Sequence, residues 1–174
     1  MKFSKRYCIL YAEDNEDACF MLSTLLGFSG IDVSCAYTVE EAFRKAQNGH
    51  FDAYLLDVRF PEGSGLELCP QLRNLHPQIP IIFYTSNAYE TDRRAGLAAG
   101  ARAYLVKPEI DTIIPTILRL VSQASETAKI EESGEFYASQ TERQVSISTN
   151  ILKLPAKHVK GKIEKIAARW KEIK

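Results

Sequence analysis

Four consecutive apolar residues, Ala53, Tyr54, Leu55 and Leu56, run straight into a carboxylate, Asp57. This stretch constrains the fold more than any other. Gly49 breaks the chain before it, and Pro61, Gly63 and Gly65 turn it away afterwards. The run is too short for a helix and suits a strand covered on both faces, as in a parallel sheet. In open α/β sheets the ligand crevice lies beyond the carboxyl ends of the strands. Asp57 is therefore expected at a functional edge. The plain alternative is a strand-terminal acid that only accepts N–H groups of its loop.

The pattern recurs. Tyr7–Ala12 is an apolar run ending in Glu13 and Asp14, and Ile31–Ala36 is a second. Ile79–Tyr84 ends in Thr85, and Ala103–Val106 ends in Lys107 and Pro108. Between these runs lie stretches with helical spacing. Ala18, Met21, Leu22, Leu25 and Leu26 form the first, closing near Gly27 and Gly30. Thr38 and Glu41 form a capping box for the second. The third has a similar spacing in Ser64 and Glu67, but Pro70 allows either a kink or a regular helix starting only at the proline. Ala88–Ala99 reads as the fourth. Asp111 is expected to cap the last, with Pro115 as an alternative first residue. Five strands alternating with five helices predict a doubly wound α/β domain, a five-stranded parallel sheet with helices on both faces.

Reactive groups at the strand ends are then Glu13, Asp14, Asp57, Thr85 and Lys107. Three clustered carboxylates repel one another unless a cation neutralises them. Oxygen ligands with few carboxylates favour Mg2+. A lysine and a hydroxyl opposite them suit a phosphoryl group, and Asp57 between them could accept phosphate as an acyl phosphate. Neither GxxxxGK[ST] nor GxGxxG occurs, which argues against nucleotide binding.

In this order and spacing the residues resemble a response-regulator receiver domain of two-component signalling, over about residues 5–124. Glu13-Asp14, Asp57-x-x-x-Pro61-x-x-x-Gly65, Thr85, and Gly100-Ala101-x-x-Tyr104-Leu105-x-Lys107-Pro108 carry the resemblance. It implies the flavodoxin-like receiver fold and a phosphoacceptor, Asp57, served by a histidine kinase or phosphotransfer protein. It also implies Mg2+ held by Asp14, Asp57 and the Arg59 carbonyl, with Glu13 acting directly or through water. Thr85 and Lys107 would bind phosphoryl oxygens, and Thr85 and Tyr104 would form the switch. Arg59 and Asn87 would modulate phosphate lifetime, and the Lys107–Pro108 peptide would be cis. Phe60 stands where the family often has Met. No enzyme activity is implied beyond intrinsic acyl-phosphate hydrolysis. A phosphatase of the haloacid-dehalogenase class would need a second Asp where Arg59 stands. An adaptor of the same fold that works without phosphorylation is the other alternative.

Charge divides the chain. Residues 1–150 carry 14 Lys and Arg against 20 Asp and Glu, whereas residues 151–174 carry 8 against 2. Ser122–Gln144 reads as a linker into which the last helix can run, giving a linker over 125–144 and a basic extension over 145–174. In the extension, Val145, Ile147, Thr149 and Ile151 alternate as in a strand. Val159, Ile163, Ile166, Trp170 and Ile173 then form one apolar helical stripe, weakened by Gly161. Such a stripe favours docking on a downstream protein, or on this chain's own acidic body, within the chain or across a homodimer, over binding nucleic acid or lying on an anionic membrane. Cys8, Cys19, Cys35 and Cys69 fit no zinc or CxxC spacing and read as buried free thiols of a reducing cytoplasm. No apolar run is long enough to span a membrane. The N-terminus meets acids where a signal peptide would have a cleavage site.

Overall fold

The structure, a computed structural model, describes residues 6–133, with side chains through residue 127. In chain order the elements are β1 (Tyr7–Ala12), α1 (Glu16–Gly27), β2 (Ile31–Ala36), α2 (Val39–Asn48), β3 (Ala53–Leu56), β4 (Arg59–Phe60), β5 (Gly63–Ser64), α3 (Gly65–Leu75), β6 (Ile81–Thr85), α4 (Glu90–Ala98), β7 (Ala103–Val106) and α5 (Ile110–Ser133). The main sheet has the order β2-β1-β3-β6-β7, and every pairing in it is parallel. Among the described residues no helix is long and apolar enough to cross a membrane.

Strand side chains alternate between faces, and the two cores follow that alternation. Ile9, Tyr11, Leu55, Ile82 and Tyr84 pack with α1 and α5 residues, among them Leu22, Leu26, Ile113 and Ile117. Leu10, Ala12, Tyr54, Leu56, Ile81 and Phe83 pack with α2 and α3 residues, among them Ala42, Ala46, Leu68 and Leu72. Burial on both faces explains why these strands read as continuous apolar runs.

Local chemistry sets the helix starts. Asn15 caps α1 by accepting from the Ala18 N–H at 2.9 Å. Thr38 caps α2 through the Glu41 N–H at 3.0 Å, while Glu41 accepts from the Tyr37 N–H at 2.8 Å, one residue earlier than a standard capping box. α3 starts at Gly65, under a Ser64 cap, and runs through Pro70, so its regular part does not wait for the proline. α5 starts at Ile110. Glu109, not Asp111, supplies the carbonyl that accepts the Ile113 N–H at 3.2 Å. Pro115 lies inside α5 rather than at its start. The carbonyl it leaves without an N–H belongs to Asp111, and both residues are exposed, so water can serve it. α5 also continues to Ser133, into the segment expected as linker.

Cys19 and Cys69 are buried, but Cys8 and Cys35 are only half-buried, which corrects the expectation of four buried thiols. Cys35 lies on β2, an edge strand with a covered neighbour on one side only.

Candidate functional site

β1, β3 and β6 lie side by side, so the residues just beyond their carboxyl ends meet at one edge of the sheet. Asp14, Asp57, Arg59, Thr85, Asn87 and Tyr89 line a single cleft there. The segment after β3, expected as a loop, is a small antiparallel hairpin, with Arg59 opposite Ser64 and Phe60 opposite Gly63. The hairpin folds Gly65 back onto the strand end. A Cβ at Gly65 would lie 1.9 Å from the Asp57 carbonyl oxygen. Only glycine permits that approach, which gives a physical reason for the spacing from Asp57 to Gly65.

Asp57 is fully engaged. Its Oδ1 accepts from the Val58 N–H at 2.5 Å, the Arg59 N–H at 3.2 Å and the Thr85 hydroxyl at 2.5 Å. Its Oδ2 accepts from Lys107 Nζ at 2.5 Å. Burial alone would push the Asp57 carboxyl up. The Lys107 ammonium, with the bonds from Lys107, Thr85 and Arg59, outweighs burial and holds it below the ordinary carboxylate value. Asp57 is thus kept ionised although its side chain is only 11% exposed.

Glu13 sits differently from Asp14. Asp14 is exposed and faces the cleft, whereas Glu13 is 3% exposed and turned inward. Glu13 Oε2 accepts from Lys107 Nζ and, at 2.7 Å, from the Tyr11 hydroxyl. Burial pushes its carboxyl up to about 7 against the pull of Lys107, and the nearby Asp57 charge adds to the rise. The Lys107 ammonium bridges both acids. It lies 5.9 Å from the Tyr11 ring centroid and 5.8 Å from that of Tyr84. Both rings are thus within cation–π reach of the lysine head. Sequence reasoning missed them, although period-2 alternation puts Tyr11 and Tyr84 on one face beside the central strand.

Thr85, Asn87 and Tyr104 form a chain. The Asn87 N–H donates to Thr85 Oγ1 at 3.2 Å, and the Tyr104 hydroxyl donates to the Asn87 carbonyl at 2.8 Å. The Asn87 amide is turned to Asp92 on α4. Tyr104 is half-buried against Phe83, with ring centroids 5.6 Å apart, and burial pushes its hydroxyl up to about 12. Arg59 is exposed at the cleft rim. Phe60, an apolar lining residue, is 8% exposed. The Lys107–Pro108 peptide is cis.

Among the described residues no three His, Cys, Asp or Glu side chains converge on a metal position. The cleft is lined by two carboxylates, Asp14 and Asp57, beside Arg59 and the neutral side chains of Thr85, Ser86 and Asn87. That donor set fits Mg2+, which binds through one or two carboxylates and retains several waters.

Comparison with known proteins gives the family and the fold. The chain spans 64% of the transcriptional regulatory protein CreB of Escherichia coli, to which it is 32% identical over 146 residues, or 82% of its own length. It spans 56% of the alkaline phosphatase synthesis transcriptional regulatory protein PhoP of Bacillus subtilis, at 35% identity over 73% of its own length. A CheY-like receiver domain protein from Methanospirillum hungatei superposes with a TM-score of 0.67 at 27% identity, over 71% of this chain and 99% of that one. TrrA from Thermotoga maritima, solved in complex with Mg2+ and BeF, superposes with a TM-score of 0.60 at 28% identity, over 66% of this chain and 98% of that one. Residues 9–119 match the response regulator receiver domain, and with that match over most of its length the chain belongs to the response-regulator receiver family of two-component systems.

Proposed function

We propose that this receiver takes a phosphoryl group on Asp57 from a histidine kinase or a phosphotransfer protein, and so switches a protein-interaction surface in the cytoplasm. One observation carries the reading. An ionised carboxylate stands at the cleft with an ammonium and a hydroxyl already bonded to its two oxygens. An Asp57 oxygen attacks the phosphorus of a phosphohistidine, the P–N bond breaks, and its electron pair leaves on the imidazole. Lys107 and Thr85 then exchange carboxylate oxygens for phosphoryl oxygens. As Thr85 moves, Asn87 and Tyr104 follow through the bonds that join them. Asp14, Asp57 and the Arg59 carbonyl would hold Mg2+, which supplies positive charge to the transferring group. Glu13 acts from behind, by positioning Lys107. Arg59 and the Asn87 side chain flank the attacked face and set access of water to the acyl phosphate. The protein is a phosphoacceptor, with acyl-phosphate hydrolysis as its one intrinsic reaction.

Incubation with a small phosphodonor and Mg2+, followed by intact mass measurement, tests this. Wild type gains one phosphoryl group and Asp57→Asn gains none. Equal labelling of the variant refutes Asp57 as the acceptor, and no labelling of wild type leaves the non-phosphorylated adaptor.

Output through the basic 145–174 segment, which lies outside the described residues, is also proposed. Its apolar stripe suits a downstream protein or a second copy of this chain. The names of the relatives, both transcriptional regulatory proteins, favour nucleic acid as the second reading. Truncation after Ser133 preserves α5, and it should leave Asp57 labelling intact while changing sedimentation or partner capture. Steeply salt-dependent DNA binding that survives Trp170→Ala would select nucleic acid instead.

A further inference from the structure

We infer that Tyr11 is a positioning residue for phosphoryl uptake: its buried hydroxyl holds Glu13 in place, and Glu13 in turn aims Lys107 at the Asp57 site. Tyr11 lies on β1 between β2 and β3, opposite Cys35 on one side and Leu55 on the other. It is fully buried and packs in the core shared with α1 and α5. A phenylalanine would fill such a place as well, so packing does not explain the hydroxyl. A buried tyrosine O–H usually finds a hydrogen-bond partner. Here that partner is Glu13 Oε2, at 2.7 Å.

Strand geometry makes this bond. Residues two apart on a strand face the same side. The strand's pairing carries on past Ala12, because the Glu13 N–H still donates to the Ala36 carbonyl at 2.9 Å. Tyr11 and Glu13 therefore share one face, the ring anchored in the core and the carboxyl at the sheet edge. Glutamate is a long side chain with much rotamer freedom. A bond to Lys107 alone would let it swing about that contact, and the Tyr11 hydroxyl fixes the same oxygen from a rigid strand.

The consequence falls on Lys107. Its Nζ bonds both Glu13 Oε2 and, at 2.5 Å, Asp57 Oδ2. To reach a phosphoryl oxygen it must release Asp57, and the bond it keeps is the one to Glu13. With Glu13 held, the ammonium pivots about a fixed point. The Tyr11 ring, whose centroid is 5.9 Å from Nζ, bounds the same movement. Tyr11 itself is closed off from the cleft that Asp14 and Asp57 line, so it acts through Glu13 and touches neither metal nor phosphorus.

The test uses the full chain with Tyr11→Phe, which removes the hydroxyl and keeps the ring. Tyr54→Phe is the control. Tyr54 is equally buried in the core on the other face of the sheet, and its hydroxyl is bonded to His76 Nδ1 at 2.6 Å. Labelling rates are measured against phosphodonor and Mg2+ concentration. Misplacing a reacting group by about 1 Å can cost about 100-fold, and loosening without displacement should cost less, about 10-fold in the maximal rate of Tyr11→Phe. The half-saturating Mg2+ and donor concentrations should not move, and Tyr54→Phe should label as wild type does. Added to Glu13→Ala, Tyr11→Phe should cost nothing further, a coupling that simple loss of core stability would not produce. Equal maximal rates for Tyr11→Phe and Tyr54→Phe, a shifted Mg2+ requirement, or the full cost of Tyr11→Phe in the Glu13→Ala background overturns the inference. These rates rest on the proposed function, but a second readout does not. In metal-free protein the Lys107 side-chain NMR resonances should shift in Tyr11→Phe and stay in place in Tyr54→Phe. Once Glu13 is replaced by Ala, Tyr11→Phe should no longer move them. If wild type does not label, the proposed function fails and these resonances still decide: Lys107 signals unchanged in Tyr11→Phe overturn the role of Tyr11.

Discussion

Gly65→Ala should damage this protein far more than any other glycine-to-alanine change at its helix ends. The new Cβ would sit 1.9 Å from the Asp57 carbonyl oxygen and 3.0 Å from its carbon, both backbone atoms. Real Cβ atoms keep at least 3.0 Å, so the start of α3 and the end of β3 must separate by about 1.1 Å. Neither side yields easily. The Asp57 N–H is bonded to the Ala12 carbonyl at 2.9 Å, and the Gly65 N–H to the Val58 carbonyl at 2.9 Å. Forced overpacking of this kind costs roughly 3 kcal/mol. A displacement of about 1 Å at a reacting group can slow a reaction roughly 100-fold, so phosphoryl uptake should fall by about that factor in molecules that remain folded. Gly63→Ala and Gly27→Ala are the controls. A Cβ at Gly63 meets only the Val39 side chain, at 3.1 Å, and one at Gly27 meets nothing within 4 Å. Each should change stability by less than about 1 kcal/mol. Urea denaturation followed by circular dichroism, with initial rates of labelling, reads both quantities. Gly65→Ala with the stability and labelling rate of Gly63→Ala would refute the close approach at Asp57.

Glu13→Gln should make stability less dependent on pH. The Glu13 carboxyl is raised from 4.5 to about 7 in the folded protein. The native state therefore holds a proton that the unfolded chain has released, and stability falls as pH rises through that window. At about 1.4 kcal/mol per pH unit, the difference between wild type and variant should move by about 3 kcal/mol in favour of Gln between pH 4.5 and 7, measured by denaturation in a chelator. Parallel profiles would contradict it. Asp14→Ala should lower Mg2+ affinity at least 10-fold while leaving stability within about 0.5 kcal/mol, since the residue is exposed. Calorimetric titration with equal affinity for both proteins would remove Asp14 from the metal site.

The strand ends were legible because a doubly covered parallel sheet writes apolar runs into the sequence, and the first polar residue after each run lands at the same edge. Asp57, Thr85 and Lys107 are found that way. Glu13 and Asp14 look equivalent as neighbours, but the strand's alternation still governs where it ends. It turns Glu13 to the Lys107 side and leaves Asp14 at the cleft. The β4–β5 hairpin has two-residue strands, too short to show any period, so its sequence reads as loop. The start of α5 is misplaced in the sequence because Asp111 has the right chemistry for a cap, while the backbone of Glu109 does the capping. Pairings such as Lys107 with Glu13 join strand ends far apart in the chain, and no local spacing encodes them.

Burial along α5 thins before the helix ends. Ile110, Ile113, Ile117, Leu120 and Val121 are buried, Ala124 and Ser125 are half-buried, Gln123, Ala124 and Thr127 line a cleft with Pro77, Pro80 and Arg102, and the helix continues to Ser133. At about 1.5 Å per residue the part beyond Thr127, the last residue beside that cleft, is an arm of about 9 Å. An arm of this kind transmits rotation as well as reach. Deleting one residue from Ser122–Ser133 would retract the downstream chain by only about 1.5 Å but turn it through about 100° around the helix axis. Deleting seven, close to two whole turns, would retract it by about 10 Å and leave its bearing almost unchanged. The helix thus arrives at Ser133 with an angular phase set by the Asp57 domain, and that phase is a quantity that insertions and deletions can dial.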